Sequence, residues 1–268
     1  MADTSGILWG VDVYEVVVFP LNSDGSLQAV DTSPYEGLSM RGPRAFDLTP
    51  SEPRVVNNPG AGRILDVIYL PANEADRAEL RVGYNNQAIK AKLSAVKKFS
   101  VGESTMVMRG TDQQGNEPDV AIIAAQLAKD ENKLKRWHYY MIPRARAIPL
   151  DSPMNENALE ERYAITMSPS TTHIWGKELT IATEGCLEAG YADGMSEGRP
   201  KLVAWLGDGT ETEFLFPTNY QAIATGKISV FDFVAGTEYT AGITKATTGV
   251  TFAVAPANNL LIIAKYEY

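Results

Sequence analysis

Glu117-Pro118-Asp119-Val120-Ala121-Ile122-Ile123-Ala124-Ala125-Gln126-Leu127-Ala128-Lys129 is the stretch whose reading sets the fold class. Val120, Ile123, Ala124, Leu127 and Ala128 recur at i, i+3, i+4, i+7 and i+8, the spacing of one apolar stripe on a helix. Asn116 suits an N-cap, Pro118 the first turn, and Asp119 the positive end of the helix dipole. Basic Lys133, Lys135 and Arg136 follow the C-terminal end. The spacing predicts one α-helix over 117–129.

Outward from that stretch the chain reads almost entirely as strand. Downstream, Trp137 to Ile142 is aromatic and apolar, and Arg162 to Met167 and Glu178 to Thr183 are two further strands. Upstream, Val11, Val13, Val16, Val17, Val18 and Phe19 form a β-branched run ended by Pro20, with turn chemistry in Asn22-Ser23-Asp24-Gly25 and a return over Ser26 to Val30. Arg63 to Leu70, Gln87 to Lys98 and Glu103 to Arg109 are predicted strands, and Glu74 to Val82 a short helix. One amphipathic helix among many strands predicts a mainly β fold, a β-sandwich or barrel with a single flanking helix.

Ser33 to Gly62 differs from its surroundings. Pro34, Pro43, Pro50, Pro53 and Pro59 interrupt it, so it is expected to hold no helix or central strand. Tyr35, Leu38, Met40, Phe46 and Leu48 give it more apolar anchors than a linker needs. The expectation is a long loop or arm, 33–62, that docks on another surface, such as another subunit.

Tyr191 to Gly198 is glycine-rich and reads as a linker, which divides the chain into a first part, 1–198, and a C-terminal unit, 199–268. In the latter, strands Leu202 to Leu206, Thr212 to Phe216 and Ile228 to Val234 alternate with turns at Gly207-Asp208-Gly209 and Ala235-Gly236. Val250, Phe252 and Val254 should share one face of a strand, and Ile262, Ala264, Tyr266 and Tyr268 one face of the last. Short strands at this spacing predict a small all-β sandwich.

Composition narrows the function. A hydrophobic content of 44% excludes global disorder. The N-terminus lacks the basic and apolar regions of a signal peptide, and no apolar run reaches the ~20 residues that span a bilayer, so no membrane anchor is expected. The single cysteine, Cys186, rules out an intramolecular disulfide and reads as a small buried hydrophobe. A net charge of −9 argues against gripping nucleic acid, which calls for clustered Lys and Arg. It leaves room for a surface past which nucleic acid slides, or for charge that serves solubility alone.

No motif carries chemistry. Gly194-Met195-Ser196-Glu197-Gly198 matches G-x-S-x-G, but a nucleophile elbow needs a strand before it, a helix after it and a later histidine. Here turn residues and a proline flank it, and His138 and His173 both lie upstream. Those histidines, with one distant cysteine, lack the spacing of a zinc site and sit among aromatics, which favours packing. Gly60-Ala61-Gly62 precedes a strand, whereas a dinucleotide fingerprint follows one. Glu160 with Glu161, and Asp208 with Glu211, read as solvated faces and turns. The expectation is no catalytic, cofactor-binding or metal site, and no enzyme.

Three pieces of the chain have a familiar layout: Gly110-Thr111-Asp112-Gln113-Gln114-Gly115-Asn116-Glu117-Pro118, Arg136-Trp137-His138-Tyr139-Tyr140-Met141-Ile142-Pro143-Arg144-Ala145, and His173-Ile174-Trp175-Gly176-Lys177 running to Thr183-Glu184-Gly185. Together, over roughly residues 1–198, they resemble the major tail tube proteins of long, non-contractile-tailed bacteriophages. Gly207 to Thr210, Phe214 to Pro217, Gly249 to Pro256 and the closing Tyr266-Glu267-Tyr268 resemble a small β-sandwich appended to many phage virion proteins. The resemblance implies a virion structural protein, made in the bacterial host cytoplasm and located in the phage tail. It implies homohexameric rings stacked into a tube, with other phage tail proteins as partners and DNA passing through the lumen without specific binding. Splitting the chain at Gly198 puts −8 on the tube-like part and −1 on the terminal unit, which suits an acidic lumen. The competing reading is a virion decoration or host-recognition protein whose terminal sandwich grips a glycan, with Tyr220, Phe231 or Tyr239 exposed on one face.

Overall fold

The computed structural model describes residues 9–28, 35–36, 38–40, 43–49, 54–60, 63–70, 76–83, 93, 97–101, 104–108, 117–129, 134–150, 154–155, 158–159, 161–170, 175, 183–192, 200–233 and 235–268. Among the described residues the fold is mainly β, and its sheets are antiparallel. The largest sheet has eight strands: β1 (Trp9–Pro20), β3 (Leu38–Met40), β4 (Pro43–Thr49), β7 (Arg77–Val82), β10 (Asp119–Lys129), β11 (Leu134–Pro149), β14 (Glu161–Met167) and β15 (Thr183–Ala192). Its order is β3-β1-β10-β11-β14-β7-β4, with β15 paired to β11.

The segment expected as the flanking helix, 117–129, is the central strand β10, paired with β1 on one side and β11 on the other. The helical stripe is real, but Ala121, Ile122 and Ala125 fall off it and are apolar too. A strand covered on both faces reads as a continuous apolar run, and short runs of this kind carry both periodicities. Here the period of two decides. Val120, Ile122 and Ala124 enter one core, while Ala121, Ile123, Ala125 and Leu127 enter another. The short helix expected at Glu74 to Val82 is likewise the strand β7, with Ala78, Leu80 and Val82 buried and Arg77 exposed.

Three apolar clusters are separated by two sheet layers. In the first, Val16, Val18, Leu80, Ile122, Ile142 and Tyr163 meet inside a curl formed as β4 returns beside β1. The second lies on the opposite face of β1, β10 and β11, where Phe19, Ile123, Trp137 and Trp175 meet Leu202, Ala204, Leu261 and Ile263. Those last four residues belong to β16 (Pro200–Leu206) and β22 (Leu261–Glu267), which pair with each other. The alternate residues of the same two strands, Val203, Trp205, Ile262, Ala264 and Tyr266, enter the third cluster.

That third cluster lies between two sheets. One is β19 (Thr237–Glu238), β18 (Ser229–Asp232), β22, β16 and β2 (Tyr35–Glu36), in that order; the other is β17 (Glu213–Leu215), β21 (Gly249–Phe252) and β20 (Ile243–Ala246). Ile262, Ala264 and Tyr266 share a face as expected, and Tyr268 packs against it. Val254 does not join Val250 and Phe252: β21 stops at Phe252, and Val254 is 81% exposed. Residues 199–268 therefore contribute to two cores, one of them shared with the preceding strands. Each fully buried Leu, Ile or Val side chain contributes about 1.5–3 kcal/mol, so the second cluster is a substantial bond between the two parts of the chain.

The stretch 33–62, expected as a loop, is largely strand in its described residues. Its two described prolines, Pro43 and Pro59, occupy positions a sheet tolerates, a strand start at an edge and a bulge, and Pro34, Pro50 and Pro53 lie outside the described residues. β4 lies at the end of the eight-stranded order and begins at Pro43. Pro59 sits at a register shift between β5 (Arg54–Gly60) and β6 (Arg63–Leu70). Phe46 and Leu48 pack against the chain's own first cluster, and β2 pairs with Trp205 and Leu206. Arg63 to Leu70 is a strand as expected, and β9 (Ser104–Met108) falls within the strand expected at Glu103 to Arg109.

Candidate assembly surfaces

Among the described residues, none of those weighed for catalysis forms a catalytic grouping. Ser196 and His173 lie outside the described residues. His138, on β11, is half-buried and meets Tyr140 edge-on at 4.9 Å between ring centroids. Cys186 stands opposite His138 across the β11–β15 pairing. Among the described residues, no group of three or more His, Cys, Asp or Glu is placed to hold a metal ion. No helix among them is long and apolar enough to cross a membrane.

Of the acidic pairs, Glu160 lies outside the described residues, and the other members resolve differently from one another. Asp208 and Glu211 are turn residues: an Asp208 Oδ1 accepts from the backbone N–H groups of Thr210 and Glu211, and Glu211 Oε1 from those of Thr212 and Glu213. Glu161, read from sequence as solvated, is buried instead and accepts a 2.8 Å hydrogen bond from the Tyr163 hydroxyl. Burial first, and then the Glu161 carboxylate, raise the pKa of Tyr163 above the ordinary phenol value.

The aromatics proposed as a glycan-binding face are engaged in packing. Tyr239 meets Phe252 edge-on, Tyr220 meets Tyr268, and Phe231 stacks beneath the Lys265 ammonium. A small cleft of about 20 Å³ is lined by Phe46, Ala124, Ala125, Gln126 and Tyr140, room for a water rather than a ligand.

Two other features bear on assembly. β5 and β6 form a two-stranded sheet of their own, and so do β8 (Lys97–Val101) and β9. Among the described residues, neither hairpin pairs with the larger sheets. The sequence of β5–β6 is rich in apolar residues: Val55, Val56, Ile64, Leu65, Val67, Ile68, Tyr69 and Leu70. A lone hairpin is marginally stable in water, and its unpaired edges template further pairing.

The second feature is the outward face of β11, β14, β7 and β4. Here Arg144 and Arg146 both donate to Asp119, the latter at 2.6 Å. Burial raises the pKa of Asp119, but the hydrogen bonds and charges of Arg146 and Arg144 together outweigh it, and the carboxyl is held below its usual value. Glu79 accepts from Arg162 and Arg81, each through a 2.9 Å Nε contact, and the Arg162 hydrogen bond is the main cause of its lowered pKa.

Sequence reading missed this face, because its residues lie between positions 47 and 166 and gather only through strand pairing. A scan against protein-family models gives no match for this chain, and neither does a search of curated proteins.

Proposed function

We propose that this chain is a virion structural protein that assembles with its own copies into stacked hexameric rings, forming a bacteriophage tail tube through which DNA passes without specific binding. The two longer of the three self-paired hairpins among the described residues, β5–β6 and β8–β9, carry this reading; the third pairs Met154–Asn155 with Ala158–Leu159. Hairpins of this size need a further surface to be stable, and neighbouring copies supply it by completing the sheet. Ring closure then removes the open edges. Six copies at −9 carry −54 per ring, which suits a conduit that repels phosphate. No chemical step is involved, and other tail proteins are the expected further partners.

Electron microscopy of the concentrated full-length protein tests the reading. Rings or tubes are expected. Discrete single molecules across a range of salt and protein concentration would defeat it.

A further inference from the structure

The outward face of β11, β14, β7 and β4 is continuous across four strands. Arg146 stands opposite Thr166, and Thr166 opposite Arg77. Ile148, Ala164, Glu79 and Asp47 form the next row, and Arg162 and Arg81 a third. With Arg144 and Asp119 at its margin, the face carries five guanidinium groups against three carboxylates, a surplus of two positive charges among the described residues. The chain as a whole is −9, so the remainder carries −11. Ile148 and Leu150, 38% and 45% exposed, lie beside these arginines. Arginine next to exposed aliphatic groups is the make-up of an interface centre, where guanidinium groups are favoured and lysine is depleted.

We infer that this arginine-bearing sheet face is a docking surface for an acidic surface on a second copy of the chain. The inference rests on the assembly reading above and names one of its contacts. Face-to-face contact between two copies would set one positive surplus against another. The complement is instead a different, acidic part of the neighbour, so the contact is head-to-tail. Such contacts close into rings or run on as filaments, whereas self-complementary ones stop at dimers. At about 4.8 Å between strands and about 3.4 Å per residue, four strands by five residues cover on the order of 300 Å². A stable contact takes about 800 Å² from each partner, so the face is the centre of a larger footprint to which adjoining elements add.

The test uses full-length protein in sedimentation velocity over a range of concentration and salt. Ile148→Asp/Leu150→Asp cancels the positive surplus at two exposed sites outside the apolar clusters. The double variant is expected to raise the concentration for half-assembly by about tenfold or more. Leu150→Asp alone, just past the end of β11, should shift it in the same direction. Leu215→Asp, at a half-exposed site on β17, should leave it unchanged. Raising salt should weaken wild-type assembly, because the screening length falls from about 10 Å at 0.1 M to about 3 Å at 1 M.

Wild-type protein that assembles alongside equally competent, folded face variants overturns this inference while leaving the assembly reading intact. Wild-type protein that stays monomeric throughout defeats the assembly reading itself, and the inference with it. Duplex DNA bound by wild type and lost in the double variant, with assembly unaffected, also overturns the inference by assigning the face to phosphate.

Discussion

Lys201 Nζ lies 2.6 Å from Glu15 Oε1, and both side chains are buried where β16 crosses β1. The Lys201 ammonium also sits over the Tyr220 ring, 4.6 Å from its centroid. A buried ion pair is costly to desolvate, so breaking one half leaves an uncompensated charge, at a cost of about 3–5 kcal/mol. Lys201→Met alone and Glu15→Leu alone should each lose that much in urea unfolding. The double variant should recover most of it. Single variants with wild-type stability would show that the pair does not hold β16 against β1.

The second cluster makes a related prediction about truncation. Ending the chain at residue 198 removes Leu202, Ala204, Leu206, Leu261 and Ile263 from the cover over Phe19, Ile123 and Trp137. An exposed apolar sheet face of that kind drives association. The truncated protein should bind a hydrophobic dye and aggregate at concentrations where the full chain stays clear. A truncation that remains monomeric, with the full chain's thermal midpoint, would show that the shared core is dispensable.

Asp119 should set part of the acid sensitivity. Its folded-state pKa lies below the ordinary carboxylate value because Arg146 and Arg144 outweigh the effect of burial. Its contribution is therefore complete above the unfolded value of about 3.9 and is lost as pH falls through the lower folded value. Urea midpoints for wild type should drop in that acid range. Asp119→Asn should be less stable at neutral pH and show a shallower acid slope, and parallel slopes would contradict this account.

Gly249 sits where β21 presses on β17. A Cβ there would come within 2.9 Å of the Leu215 Cα and would meet the Phe214 carbonyl oxygen. Both obstacles are backbone, which cannot swing aside. Gly249→Ala should cost about 1–3 kcal/mol, the range for overpacking a filled site. Gly226→Ala, where a Cβ meets nothing within 4 Å, is the matched control. Equal thermal midpoints for the two variants would refute the close approach.

The amino-acid sequence determined that the chain is β-rich and where many strands lie, because β-branched alternation and turn residues act locally. Arg63 to Leu70, Arg162 to Met167 and the closing strand with Ile262, Ala264 and Tyr266 on one face were legible for that reason. The turn at Asp24-Gly25 was legible too, with Gly25 at φ 82° and Asp24 accepting from the Ser26 N–H.

Only the tertiary structure decided the rest. An apolar run such as Val120 to Ala125 satisfies helical and strand periods alike, and packing on both faces selects the strand. Pro43 and Pro59 looked disruptive until pairing placed one at the start of an edge strand and the other at a bulge. Glu15 with Lys201, and five arginines scattered from Arg77 to Arg162, come together through contacts between residues far apart in the chain. Local propensity carries no record of such contacts, since it acts between neighbours in sequence while ion pairs and shared cores act between neighbours in space.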